Sequence, residues 1–269
     1  MSIKFSLIGG GVMGEALLSR LLARGIYAPQ EVLVSEPRAD RRSLLAERYN
    51  VQVTDDNRET TATDVLMLAI KPQVFEQVVA ELAVSSQPVE AQRLIISILA
   101  GTPLSKLEPA FAGLPVIRAM PNTPATVGAG MTAIAPGSHV QPQHLELARR
   151  IFQAVGEVVE VPESLMDAVT GLSGSGPGFV AVMVEALTDG GVAAGLPRAI
   201  AAKLALQTVK GTAQLLQETG LHPGELKDQV TSPGGTTIAG IAHLERAGFR
   251  SALIEAVRAA YGRSQELGR

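Results

Sequence analysis

Six residues near the N-terminus constrain the fold more than any other stretch. Gly9-Gly10-Gly11-Val12-Met13-Gly14 follows directly on the apolar run Ile3 to Ile8 and precedes an amphipathic stretch, Glu15 to Arg24. A glycine-rich turn by itself marks an ordinary tight loop. Between a strand and a helix the three spaced glycines meet separate demands. Gly9 allows the turn, Gly11 lets the backbone approach a ligand, and Gly14 lets helix and strand pack closely. The helix N-terminus that follows offers free N–H groups from Val12 and Met13 and the positive end of its dipole, which suits a pyrophosphate.

The rest of the first half continues that grammar. Glu31 to Ser35, Val65 to Ile70, Leu94 to Ile98 and Val116 to Met120 are short β-branched or continuously apolar runs, with Met131 to Ala135 and Val158 to Val161 available to extend the series. Such runs, separated by helices, are what a parallel sheet covered on both faces requires. Gly and Pro punctuate nearly all of them, which argues against buried helix segments. Residues 1–162 are therefore expected to form an α/β, Rossmann-type dinucleotide-binding domain.

After residue 162 the pattern changes. Phe179, Val182, Met183, Ala186 and Leu187 repeat at helical spacing, and Leu204, Leu206, Val209, Ala213 and Leu216 mark a second long helix. Pro197 sits between them, near a first-turn position where its missing N–H costs nothing. Residues 163–269 read as an all-helical domain for substrate binding and dimerisation. Its helices are apolar on more than one face, and a surplus apolar face calls for a partner chain.

The second strand ends in Ser35-Glu36-Pro37-Arg38, with Arg41 and Arg42 beyond. An acidic side chain at this place binds the ribose 2′-hydroxyl of NAD, while a nearby Arg accommodates the 2′-phosphate of NADP. Ser35 is a further phosphate donor. The basic cluster around Arg38 favours NADPH, with NADH as the alternative; the competing reading is that Arg41 and Arg42 are simply the solvated face of the next helix. Ligands of such sheets lie at the carboxyl ends of the strands. Ala69-Ile70-Lys71-Pro72, Leu99 and Ala100, Met120-Pro121-Asn122-Thr123-Pro124, and Asn57 between the second and third strands are thus cofactor candidates, although Pro72 and Gly101 also end strands.

The composition narrows the alternatives. The 269 residues carry a net charge of -3 and only 3% aromatics, which supplies neither a basic footprint nor base-stacking platforms for nucleic acid. Without cysteine there is no disulfide framework and no thiolate metal site. His139, His144, His222 and His243 lack the i, i+4 spacing of a metal pair, so no metal is expected and all four read as surface or capping residues. The N-terminal apolar run ends too soon in glycine for a signal peptide, and no span of about 20 apolar residues follows. A soluble, cytoplasmic protein is expected.

Far downstream lies Leu226-Lys227-Asp228-Gln229-Val230-Thr231-Ser232-Pro233-Gly234-Gly235-Thr236-Thr237-Ile238. Pro-Gly-Gly dictates a loop, and Ile238, Ile241, Ala242 and Glu245 then recur at helical spacing. Thr236 and Thr237 stand at that helix's N-terminus. A Thr there is an ordinary cap, but two glycines and two threonines make a better anion cradle than a cap needs.

The segment from Leu226 to Glu245 resembles the signature of the pyrroline-5-carboxylate reductases nearly position by position. Ala69 to Pro72, Asn122 to Pro124, Ala168 to Pro177 and Asp189 to Val192 resemble further landmarks of that family in the same order. The resemblance implies that Thr237 hydrogen-bonds the ring nitrogen of a cyclic imine, and that Ser232 with the Thr236 and Thr237 N–H groups holds its carboxylate. Glu163 matches a position near the substrate, and Gln229 one approaching the cofactor. It also implies hydride transfer from NAD(P)H and a homodimer through the helical domain, in which each site takes its substrate loop from the partner. Assembly of dimers into a higher oligomer stays open.

Two other readings compete with this one. A related imine reductase or hydroxyacid dehydrogenase is the nearer. The dehydrogenases place a catalytic Lys after a segment of the 171–176 type, yet no Lys occurs between Lys106 and Lys203. A non-catalytic dinucleotide sensor would keep Gly9 to Gly14 but have no need of Ser232 to Thr237.

Overall fold

A computed structural model describes residues 2–83 and 93–268. The apolar runs become strands β1 (Phe5–Ile8), β2 (Val32–Ser35), β4 (Val65–Leu68), β5 (Leu94–Ser97) and β6 (Val116–Met120), followed by β7 (Gly130–Pro136) and β8 (Gly156–Glu160). The apolar runs do not include a short β3 (Gln52–Thr54). It lies at the sheet edge and is half exposed, so it carries no apolar run to betray it. Among the described residues these form one sheet in the order β3-β2-β1-β4-β5-β6-β7-β8. All pairings are parallel except β6 with β7.

Side chains alternate across the pleat and give the sheet two cores. Phe5 and Leu7, Val65 and Met67, and Leu94 and Ile96 face helices α1 (Val12–Ala23), α2 (Ala39–Tyr49) and α5 (Pro142–Gln153). Ile8, Leu66, Leu68 and Ile95 face α3 (Phe75–Ala83) and α4 (Leu104–Ala110). This is the expected doubly wound α/β arrangement, buried on both faces. Helix α1 starts at Val12, not Glu15, because Gly11 is its N-cap and the helix takes in the last part of the glycine motif.

From α6 (Met166–Val169) on, the described chain is helical: α7 (Gly176–Ala193), α8 (Arg198–Thr219), α9 (Pro223–Gln229), α10 (Thr236–Arg246) and α11 (Phe249–Leu267). Contacts divide the molecule into two compact units, one comprising the residues up to Gly174 with those from Ala260 on, the other Ser175–Ala259. In the second unit α7 and α8 approach so closely that a Cβ at Gly191 would lie 3.0 Å from the Ala201 Cβ. Few of its side chains are buried within the single chain: Thr188, Ala201, Ala205 and Leu226. Val182, Leu204, Leu206 and Ile254 are all more than half exposed, at 66%, 53%, 60% and 59%. A helical unit with so little core of its own leaves apolar surface that water disfavours. Among the described residues no helix is long and apolar enough to cross a membrane.

Candidate active site

In the first unit β1 lies between β2 and β4, so the crossovers leave it in opposite directions and a crevice opens at the strands' carboxyl ends. Gly9 has φ of 102°, and a Cβ there would stand 2.5 Å from the Ala69 carbonyl oxygen at the end of β4. A Cβ on Gly14 would lie 2.2 Å from the Gly9 oxygen. Both glycines are demanded by the protein's own packing. Gly11 differs: a Cβ there meets nothing within 4 Å. The space in front of Gly11 is what a pyrophosphate needs, so the turn fits a dinucleotide. The first helical bond of α1 runs from the Glu15 N–H to the Gly11 oxygen at 2.8 Å. The N–H groups of Val12, Met13 and Gly14 precede it and are left for a ligand. Val12 is exposed, whereas the Met13 side chain packs against the core and offers only its backbone.

The residues after β2 are more tightly bound up than their sequence suggests. Ser35 donates its hydroxyl to Asn57 Oδ1 at 2.6 Å, and Asn57 Nδ2 donates to Glu81 Oε2 at 2.6 Å, so two of the cofactor candidates meet. Arg38 is exposed and pairs with Asp40. Arg41 and Arg42 are not a solvated face. Arg41 donates Nε to the Gly10 oxygen at 2.7 Å and pairs with Glu15; Arg42 donates to the Glu36 and Pro37 oxygens, each at 2.8 Å. Burial pushes the Glu15 carboxyl up, but hydrogen bonds from Arg41 and Tyr49 and the charges of Arg41 and Arg48 outweigh it and hold the group below its ordinary value of 4.5. A cleft of about 630 Å³ opens here, with Gly11, Val12, Arg38 and Arg41 in its wall.

Beyond β4, Ala69 and Ile70 are half-buried and Lys71 is exposed as the cap of the short turn Pro72–Val74. Beyond β5, Leu99 is buried and Ala100 exposed. Asn122 is a tie within the unit. Its Nδ2 donates to the Ser173 oxygen at 3.1 Å and its Oδ1 accepts the Met131 N–H at 2.8 Å.

Glu163 does not stand free. Its Oε1 accepts from Arg118 at 2.7 Å and from the Leu104 N–H at 3.0 Å, while Oε2 is buried with no partner among the described residues. The apolar run of β6 hides Arg118, and a guanidinium inside a buried strand requires a carboxylate. Asp167, near the same guanidinium, accepts the Ser264 hydroxyl of α11 at 2.7 Å.

In the second unit residues 231–235 form the expected loop between α9 and α10. Gly234 has φ of 67°, and a Cβ on Gly235 would lie 2.3 Å from Ser232 Oγ, so this glycine makes room for the serine hydroxyl. Gly235, not a threonine, is the N-cap of α10, and no side chain caps the helix. Thr236 and Thr237 occupy its first two positions, both exposed. No side chain takes the first N–H groups of α10, and the hydroxyls of Thr236 and Thr237 stand on that same first turn. Gln229 is exposed at the last position of α9. Two histidines are caps as expected, His222 accepting the Gly224 N–H and His144 the Gln141 N–H, each at 3.1 Å.

The chain resembles known proteins along its whole length. Residues 163–267 match the family model described as pyrroline-5-carboxylate reductase dimerisation, and residues 4–101 match one described as NADP oxidoreductase coenzyme F420-dependent. The chain is 62% identical to the pyrroline-5-carboxylate reductase of Synechocystis sp. over 100% of both chains. This chain belongs to the pyrroline-5-carboxylate reductase family. Two solved members of the family superpose along nearly the whole chain. The Coxiella burnetii reductase has a TM-score of 0.90 at 34% identity, covering 99% of each chain. The Plasmodium falciparum enzyme, solved with NADP bound, has 0.88 at 30% identity, covering 99% of this chain and 98% of that one. The protein is thus an NAD(P)H-dependent oxidoreductase that reduces 1-pyrroline-5-carboxylate to L-proline, the final step of proline biosynthesis.

Proposed function

We propose that this reductase prefers NADPH to NADH, that Thr237 is its catalytic hydroxyl, and that it works in the cytoplasm as a homodimer through the helical unit. The observation that carries the catalytic assignment is the uncapped start of α10, where two threonines keep both hydroxyl and N–H groups unspent. Ser232 and the N–H groups of Thr236 and Thr237 hold the substrate carboxylate at the positive end of the helix dipole. Thr237 donates to the imine nitrogen and sets the face presented for attack. Glu163 shapes the site through Arg118, its partner at 2.7 Å. Gly9, Gly11, Val12, Met13 and Gly14 hold the pyrophosphate, with Ser35, Asn57, Ala69 to Pro72, Leu99, Ala100 and Gln229 along the rest of the cofactor. Arg38, exposed and paired with Asp40, reaches a 2′-phosphate. When bound, the cofactor supplies the hydride for the imine carbon, and the protein contributes distance and orientation.

The exposed Val, Leu and Ile side chains of α7, α8 and α11 support the dimer, since full burial from water is worth about 1.5–3 kcal/mol and a half-exposed side chain gains about half of that. We further propose that residues 231–237 of one protomer serve the dinucleotide held by its partner, and that the domain division at 162/163 marks this sharing of labour.

The test follows the near-ultraviolet absorbance of the reduced nicotinamide on mixing purified enzyme with 1-pyrroline-5-carboxylate and either cofactor. Faster oxidation of NADPH is expected. Faster oxidation of NADH would overturn the cofactor preference.

A further inference from the structure

We propose that Glu36 and Arg41 clamp the Gly10 peptide from its two sides, and that Glu36 is a strut of the glycine-rich turn rather than the reader of a ribose hydroxyl. The proposal rests on the dinucleotide role of Gly9 to Gly14 and deepens the question of cofactor choice.

The peptide groups of Gly10 are both committed to charged side chains. Its N–H donates to Glu36 Oε2 at 2.9 Å in a buried bond, and its carbonyl oxygen accepts from Arg41 Nε at 2.7 Å. With one polar group held by an anion and the other by a cation, Gly10 has no freedom to rotate, and the residues on either side inherit that orientation. Gly9 is fixed as well, its N–H donating to the Ser35 oxygen at 2.8 Å. What remains unspent is the run of N–H groups at the start of α1.

Glu36 is placed as a strut should be. It is only 7% exposed, and its second oxygen, Oε1, accepts the Arg38 N–H at 3.1 Å. Both carboxylate oxygens therefore hold backbone, one on each side of the crevice's rim. Each oxygen keeps a second lone pair, but burial leaves little of either one facing outward to a ribose. The other half of the clamp is itself braced. Arg41 pairs with Glu15, which also accepts from Tyr49 at 2.8 Å and Arg48 at 3.1 Å. The Gly10 carbonyl is thus tied through α2 back to α1, the helix whose N-terminus it precedes. The acidic residue after β2, which by position reads NAD, has here been turned inward, and Arg38 is left as the exposed charge at that place.

The experiment uses the full-length enzyme with the variants Glu36→Ala, Arg41→Met, Arg41→Lys and Arg38→Ala. Dissociation constants for NADPH and NADH are measured without imine by the fluorescence of the reduced nicotinamide, and kcat and both KM values by steady-state kinetics. Glu36→Ala and Arg41→Met are expected to weaken both dinucleotides by the same factor, about tenfold for the loss of one charge-assisted bond. The KM for the imine and kcat at saturating dinucleotide should stay near those of the parent, which a merely unstable protein would not do. Arg41→Lys, which keeps a donor, should recover most of the affinity. A loss confined to NADH in Glu36→Ala would make it the ribose reader and overturn the proposal. So would a loss confined to NADPH in Arg41→Met, or unchanged affinities in both. If Glu36→Ala does not fold, the two Arg41 variants decide by the same criteria. Arg38→Ala separates the two roles: an unchanged NADPH to NADH ratio there would remove Arg38 from the 2′-phosphate and leave the clamp standing.

Discussion

A threonine hydroxyl is far too weak an acid to hand its proton to an imine outright, so Thr237 can contribute only a hydrogen bond and a direction. Removing it should therefore act on the chemical step. Thr237→Ala is expected to lower kcat roughly a hundredfold, the usual cost of one well-placed donor, with dinucleotide affinity unchanged; Thr237→Ser should restore most of the rate. Equal losses in kcat and dinucleotide affinity would remove Thr237 from the catalytic role. Glu15 makes a different demand on pH. Its carboxyl titrates below its ordinary value in the folded state, so it contributes stability above pH 4.5 that is lost as the pH falls through its lowered value. Urea midpoints measured across that acid range should fall more steeply for the parent than for Glu15→Gln. Parallel curves would show that the Arg41, Arg48 and Tyr49 contacts add nothing to stability.

The start of α1 shows how one element divides its glycines between folding and binding. A methyl at Gly14 would meet a backbone oxygen at 2.2 Å, which no rotamer relieves, whereas a methyl at Gly11 meets no protein atom within 4 Å. Gly14→Ala is expected to lower the melting temperature and weaken dinucleotide binding together. Gly11→Ala should melt with the parent and yet lose dinucleotide affinity, because its methyl occupies only the space a pyrophosphate needs. Calorimetric melting with and without NADP+ checks both, and a Gly11→Ala protein that binds normally would place the phosphates elsewhere. The start of α10 follows the same logic with Gly235, whose missing side chain leaves room for Ser232 Oγ. Both helices are capped by a glycine with no side-chain bond, so each leaves its first N–H groups for a ligand.

At the scale of the molecule, the helical unit is an incomplete object as a single chain. Its apolar side chains face outward on α7, α8, α10 and α11, and the match of residues 163–267 to a dimerisation model agrees with what that surface requires. The shared-site proposal has a direct test in hybrid dimers of a Thr237→Ala protomer with a Gly11→Val protomer. If the substrate loop crosses to the partner, one of the two sites keeps a native turn and a native loop, and mixing two inactive proteins should recover activity. Hybrids that stay inactive would put loop and turn of one chain in the same site.

How much of this was legible in the chain depends on the range of the interaction concerned. Periodicity and glycine placement are local, so the doubly wound sheet, the helical second half, the turn at Gly9 to Gly14 and the loop before Thr236 could all be read directly. The short edge strand Gln52–Thr54 could not, because half-exposed pairing leaves no apolar pattern. Nor could the fate of the charges. Glu36 and Arg41 find Gly10 across 26 and 31 residues, and Arg118 finds Glu163 across 45. Which elements form, and which chemical groups stand at their ends, follows from the order of residues along the chain. Which of those groups are spent on one another and which are left for a ligand is settled by long-range packing, since a buried charge must be paired and its partner comes from wherever the fold brings one.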